Sequence, residues 1–321
     1  MAEKNDIYSV ARVRVKEKYL LTDADIEQLL TQKDQEAMLA FLRDKGWGSE
    51  GAGAAAMLSA EEKKTMADFS ELCPDPSVLD VLSYPELYHN LKTGIKELCT
   101  EGKHPGAFYE GTALGREEML QILRDKAYEK LPEHMRSAAA NAYETMMQTM
   151  DGQMCDVIAD RACLEAMVKA AEASKHGILR EYTQQLAASA DIRIALRASR
   201  TGKSINFLRA ALIPCSSFDV GRMAIAAADS TEALMAFLEN NGMSGAGEAL
   251  KQSDHAFEKW CDDRIMQMVS PHRRTFEGVG PVVAYYFARK SEIKTVRMIL
   301  TARANGLAEK DIRERIRKAY V

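Results

Sequence analysis

Three features of the sequence predict an all-α fold. Proline is scarce, 8 of 321 residues, about half its usual share of roughly 5%. Alanine and methionine, both good helix formers, are plentiful, while aromatic residues make up only 7%. Apolar residues recur at i, i+3 and i+4 along most of the chain, and no alternating strand pattern stands out. Thr22 or Asp23 caps the first clear helix, which carries Ile26, Leu29 and Leu30. The next runs through Met38, Leu39, Phe41 and Leu42 and stops at Gly46. Between Pro132 and Pro214 no proline occurs for 81 residues. That predicts long helices through Met146, Val157, Leu164, Val168 and Leu179, with bends or turns at Gly152 and Gly177. Pro281–Phe287 tolerates a strand but runs directly into a helical pattern. The last helix pairs Ile312 with Ile316 and spreads Lys310, Arg313, Arg315 and Arg317 elsewhere around its axis.

Length and charge bound the class. At 321 residues the chain is too long for one ordinary core, so two or three sub-domains are expected. Hydrophobic residues at 46% and charged residues at 28% match a soluble globular protein. The longest uncharged stretch, Gly278–Ala288, has 11 residues, whereas a membrane-spanning helix needs roughly 20. The first residues, MAEKNDIYSV, place charges where a signal peptide needs an apolar core. A net charge of −4, from 43 basic and 47 acidic residues, argues against nucleic-acid binding. Cys73, Cys99, Cys155, Cys163, Cys215 and Cys261 form no CxxC pair, so they read as reduced, packed thiols rather than a metal or redox site.

Internal similarity points to a repeat. Glu36-Ala-Met-Leu-Ala-Phe-Leu42 followed by Gly46 returns as Glu232-Ala-Leu-Met-Ala-Phe-Leu238 followed by Gly242. A second pattern occurs at Asn90–Lys96, Asp191–Arg197 and Thr295–Thr301, each followed by a glycine: Gly102, Gly202 and Gly306. Both give a period of about 100 residues, longer than the roughly 33–47 of common helical solenoids. The expectation is three similar helical domains, at 1–110, 111–213 and 214–321. A middle copy of the Phe-Leu segment, expected near residue 135, is not recognisable.

Several motifs imitate chemistry. Gly46-Trp-Gly-Ser-Glu-Gly51 matches the dinucleotide fingerprint but follows a helix instead of the strand that chemistry needs, so it reads as a helix end and connection. Thr201-Gly-Lys-Ser204 lacks the first glycine of a P-loop, that place being Arg197, and reads as a polar turn. Glu86–His89 and Glu101–His104 have ExxH spacing, and Glu172 and His176 lie four apart, but none has the facing carboxylates of a di-iron bundle. There is no GxSxG elbow. No catalytic, cofactor-binding or metal-ligating residue is assigned. Lys92, Arg193 and Arg297 occupy the same place in the three-fold pattern. They admit two readings, a structural ion pair or carbonyl cap inside each unit, or a ring of bases facing a partner. Arg273 and Arg274, after His272, form a short basic patch suited to an acidic surface or a solvated turn.

The closing stretch Gly280-Pro281 through Tyr285-Tyr286, Arg289-Lys290, Glu292-Ile293, Val296-Arg297 and Leu300 resembles that of the V-type ATP synthase C-subunit family. The opening Tyr8-Ser-Val-Ala11-Arg12-Val-Arg14-Val with Leu20-Leu21-Thr22, and the middle Asp191-Ile192-Arg193 to Arg197-Ala198 with Phe207-Leu208, are similar to it as well. The resemblance spans essentially the whole chain. It implies three similar helical domains around a pseudo-threefold axis, forming a funnel-like socket. It implies a non-catalytic rotor linker, peripheral to the membrane on its cytoplasmic side, between stalk subunits D and F and the membrane proteolipid ring. Lys92, Arg193, Arg297, Arg273 and Arg274 are then candidate interface residues, no cofactor is expected, and the choice of H⁺ or Na⁺ belongs to the ring. The chain departs from the pattern in the Gly/Ala-rich segment 46–56, and in having Asp191 and Thr295 where the first copy has Asn90. The competing readings are a helical cytosolic enzyme with a site between sub-domains and a generic helical scaffold.

Overall fold

The computed structural model describes residues 2–100, 102, 107–243 and 245–321, with the backbone alone for 2–5. Its regular structure is helical: α1 (Ala2–Glu17), α2 (Asp23–Leu30), α3 (Gln35–Asp44), α4 (Ala54–Leu72), α5 (Pro76–Thr100), α6 (Arg116–Asp125), α7 (Glu133–Thr149), α8 (Gly152–Ala173), α9 (Gly177–Arg200), α10 (Ile205–Ala211), α11 (Val220–Asp229), α12 (Thr231–Asn240), α13 (Ala246–Gln252), α14 (Asp254–Val269), α15 (Gly280–Ala304) and α16 (Glu309–Arg313). No strand occurs among the described residues, and no described helix is long and apolar enough to cross a membrane. The all-α expectation holds, including the β-tolerant Pro281–Phe287, which forms the first turns of α15. Gly152 and Gly177 open α8 and α9 respectively. The chain packs into two compact units, Met1–Leu79 with Gly242–Val321, and Asp80–Asn241.

The first unit is built on α15, which is buried over most of its length and packs on α4, α1, α14 and α3. Thr22 caps α2 through a capping box: its hydroxyl accepts from the Asp25 amide, and the Asp25 carboxylate accepts from the Thr22 amide. Asp34 caps α3 by accepting from the Ala37 amide at 2.8 Å. The apolar stripes of these short helices, with Leu29, Leu30, Met38 and Leu42, meet Val296 and Ile299 of α15 in one core. At the end of α3 the chain turns on Gly46, whose φ of +86° strains any L side chain.

The second unit joins α5 to α6, α7 and α8 through a core holding Leu91, Ile95, Met119, Leu123, Ala139 and Ala159. Alanines and cysteines at the contact between α7 and α8 let the two backbones approach closely, and Asp151 caps α8 from the tight turn between them. Gly94 is needed where α5 crosses α6: a Cβ there would lie 2.9 Å from Leu123 Cδ1. Helices α10, α11 and α12 pack on α9.

The two near-identical Phe-Leu segments form α3 and α12, each of ten residues, each capped by a side-chain oxygen from Asp34 or Ser230, and each followed by a left-handed glycine, Gly46 or Gly242. A third ten-residue helix of the same kind exists, but not near residue 135. It is α6, in which Met119, Leu120 and Leu123 are buried at the helix positions of Met38, Leu39 and Leu42. The glycine that marks the other two is missing because Lys126 itself takes the left-handed turn, at φ +55°. The ending is otherwise the same: Ala127 N–H donates to Ile122 O as Trp47 N–H does to Leu42 O, both at 3.0 Å.

Candidate partner-binding surface

The bases singled out by the repeat stand at matching places on three long helices, α5, α9 and α15. Lys92 Nζ is 2.6 Å from Asp160 Oδ1, and Lys96, one turn on, is 2.7 Å from Asp156, so two lysines of α5 meet two aspartates of α8. Arg297 Nη2 is 2.7 Å from Glu62 Oε1 on α4. Arg193 also has a partner. For Lys92 and Arg297 the geometry is that of the ion-pair reading. Arg273 donates to the Tyr320 carbonyl at 2.9 Å and lies over the Tyr320 ring, while Arg274 is exposed. Pairs this exposed contribute at most about 1 kcal/mol each; they set how helices sit rather than how strongly they hold.

The motifs that imitate chemistry serve the fold. Gly48, in the glycine-rich connection after α3, donates its N–H to Glu61 Oε1 at 3.1 Å, so the loop wraps a carboxylate of α4. Ser204 caps α10 by accepting from the Phe207 amide. His89 Nε2 lies 2.9 Å from the Ala107 carbonyl oxygen and His176 is the N-cap residue of α9; Glu101 and His104 lie outside the described residues. No group of three or more potential metal ligands occurs among the described residues. No disulfide joins the cysteines, and burial pushes the Cys155 thiol up to about 11 and that of Cys163 to about 12, which leaves them protonated and unreactive.

Arg289 of α15 is 6% exposed and lies between two buried carboxylates, donating to Glu292 Oε2 at 2.5 Å and to Glu61 Oε2. Its guanidinium stacks over the buried Trp47 ring at 5.1 Å. Glu292 also accepts from the Leu21 amide at 2.7 Å. One cluster thereby ties the α1–α2 and α3–α4 connections to α4 and α15. Burial opposes the charge of Arg289, but Glu292, Tyr285 and Glu61 outweigh it and hold the guanidinium protonated. Burial pushes the Glu292 carboxyl up against the pull of Arg289.

Above this cluster opens a groove of about 410 Å³, lined by Arg12, Val15 and Lys16 of α1, by Tyr19 of the turn that follows it, by Lys45 and Lys64, and by the carboxylates of Glu61 and Asp68. Val15 and Tyr19, with Ile7 and Tyr8, are exposed apolar side chains along α1 and its end: they are 54%, 69%, 64% and 53% exposed. Helical spacing puts positions 8, 12 and 15 on one face, but a stripe facing solvent has the same spacing as one facing a core. Glu61 and Arg289, 228 residues apart, share no such spacing. The exposed apolar side chains of this surface stand beside bases that are each paired within the chain, Arg12 with Glu71, Lys16 with Asp68, Lys45 with Asp25 and Lys64 with Glu61.

A family model described as "ATP synthase (C/AC39) subunit" matches residues 9–315 of the chain. The C subunit of the V-type sodium ATPase of Enterococcus hirae is 21% identical over 272 residues, 83% of this chain and 82% of that protein.

Proposed function

From the premise that the chain belongs to the ATP synthase (C/AC39) subunit family, we propose that it is the non-catalytic rotor linker of a V-type ATPase or ATP synthase. In this reading it sits on the cytoplasmic face of the membrane, receives the stalk subunits D and F, rests on the proteolipid ring, and passes torque between them for proton or sodium transport. The observation that carries it is the family match across nearly the whole length. Three similar helical domains around a pseudo-threefold axis, forming a socket, are part of the proposal; the shared form of α3, α6 and α12 supports them. The physical requirement is stiffness, and close-packed helices braced by ion pairs provide it. We assign partner contact to the basic positions Lys92, Arg193, Arg297, Arg273 and Arg274, and also to the α1 stripe. Beside bases already paired with carboxylates of the chain, the stripe suits a partner that presents apolar side chains.

The test is a complex assembled with and without this chain in sealed vesicles. Leaving it out is expected to abolish ATP-driven ion uptake while ATP hydrolysis by the remaining subunits continues uncoupled, and adding the purified chain restores uptake. The chain alone is expected to hydrolyse no ATP. Undiminished uptake without it overturns the proposal.

A further inference from the structure

Two of the long helices bury a polar side chain at the same place. Asn90 is the fifteenth residue of α5 and Asp191 the fifteenth of α9, and both are 0% exposed. Each holds a connection that lies beyond its own helix, Asn90 the one after α5 and Asp191 the one between α10 and α11. Asn90 Oδ1 accepts from the Tyr109 amide at 2.8 Å, and its Nδ2 donates to the Tyr109 carbonyl and to Thr112 Oγ1, both at 3.0 Å. Asp191 Oδ1 accepts from the Ile213 amide at 3.0 Å. Its other oxygen, Oδ2, is buried without a hydrogen-bond partner.

A buried ionised carboxylate requires a counter-charge or several donors. Asp191 has one neutral N–H. The charged and titratable groups that face it are Arg161 from α8 and Cys215 from the connection; among the described residues, α10, α11 and α12 add none whose charge reaches it. Arg161 is already committed, with Nε 2.8 Å from Glu165 Oε1 and Nη1 donating to the Ala210 carbonyl. A proton on Oδ2 would give Asp191 what Asn90 has, one acceptor and one donor on a neutral planar group.

We propose that Asp191 is a neutral carboxylic acid in the folded protein and acts as a proton-dependent clasp on the 212–219 connection. Protonated, it stays buried against Ile213; ionised, it becomes a solitary buried charge whose pull toward water outweighs its stronger bond to the Ile213 amide, and the clasp loosens. Burial pushes its carboxyl up to about 7, with the Ile213 amide and Arg161 pulling back only in part. That places the change in the range of ordinary cytoplasmic pH. Because the folded value lies above the unfolded one, the stabilisation is complete in acid and is lost as pH rises through about 7. The local stiffness of the second unit would thus respond to pH, a property independent of the linker role.

The test is hydrogen exchange at the Ile213 amide of the full chain, corrected for the intrinsic pH dependence of exchange, together with the infrared band of protonated carboxyl groups. Between pH 6 and 8 the protection of Ile213 in the wild type is expected to fall about tenfold, the linkage effect of one group titrating near 7. Asp191→Asn is expected to keep full protection at both values and to lose one protonated-carboxyl band at pH 6. Equal protection of the wild type at both pH values, or an unchanged infrared spectrum in Asp191→Asn, overturns the proposal. Should the variant fail to fold, the wild-type exchange profile decides alone.

Discussion

The two compact units bury charge in opposite ways. In the first, Arg289 lies between Glu61 and Glu292, and every member of that buried cluster has an opposite charge within hydrogen-bond distance. In the second, Asp191 is sealed with one backbone N–H and an unpartnered oxygen. Removing ions from water is costly in both cases. The first unit offsets that cost with mutual attraction, which holds Arg289 protonated although burial still pushes Glu292 up; the second avoids it by keeping the proton. The paired cluster is sensitive above all to the loss of its cation, the solitary acid to pH.

That contrast can be broken by substitution. The largest effect is expected for Arg289→Ala, which leaves Glu292 buried without a counter-charge and Glu61 with Lys64 alone, at 3.7 Å. Unfolding in urea should show a loss of about 3–5 kcal/mol, the usual consequence of breaking one side of a buried ion pair. A loss below about 1 kcal/mol would mean that the cluster is solvated and the comparison mistaken. Asp191→Asn should move stability the other way. At pH 8 the thermal midpoint should rise above that of the wild type, by a margin worth roughly 4 kcal/mol for a neutral isostere of a group moved from its ordinary value to about 7. The gap should shrink as pH falls, and below about pH 4, where the acid is protonated in the folded and the unfolded chain alike, the two proteins should melt together. A difference of the same size at both pH values would assign the gain to packing instead. The smallest effect is expected for Arg297→Ala. Its pair with Glu62 is about half-exposed on both sides, so water screens it and the loss should stay under about 1 kcal/mol, shrinking further with salt. A loss above about 2 kcal/mol would place that pair with the buried cluster.

Much of the secondary structure could be read directly. The capping box at Thr22, the stop at Gly46 and the helix starts at Gly152 and Gly177 are local events, decided by residues a few positions apart. The likeness of α6 to α3 and α12 is not legible in the sequence, because Lys126 takes the left-handed turn that a glycine marks after the other two. The bases at 92, 193 and 297 were placed on equivalent helix positions from spacing alone. Their acidic partners on α4 and α8 were not foreseen, since Glu62 is 235 residues from Arg297. The exposed stripe of α1 was visible as spacing and invisible as exposure.

The sequence by itself determined a helical protein with a repeated pattern of helix lengths and apolar faces, because caps, breakers and a 3.6-residue period act over a few positions. Tertiary structure alone decided which faces are covered, which charges meet and which acid is left unpaired. Those outcomes depend on groups hundreds of residues apart coming together in a medium where an unpaired charge is expensive. Asp191 shows the limit: an aspartate on a helix is ordinary in sequence, and only its burial beside one amide makes it a candidate for keeping its proton.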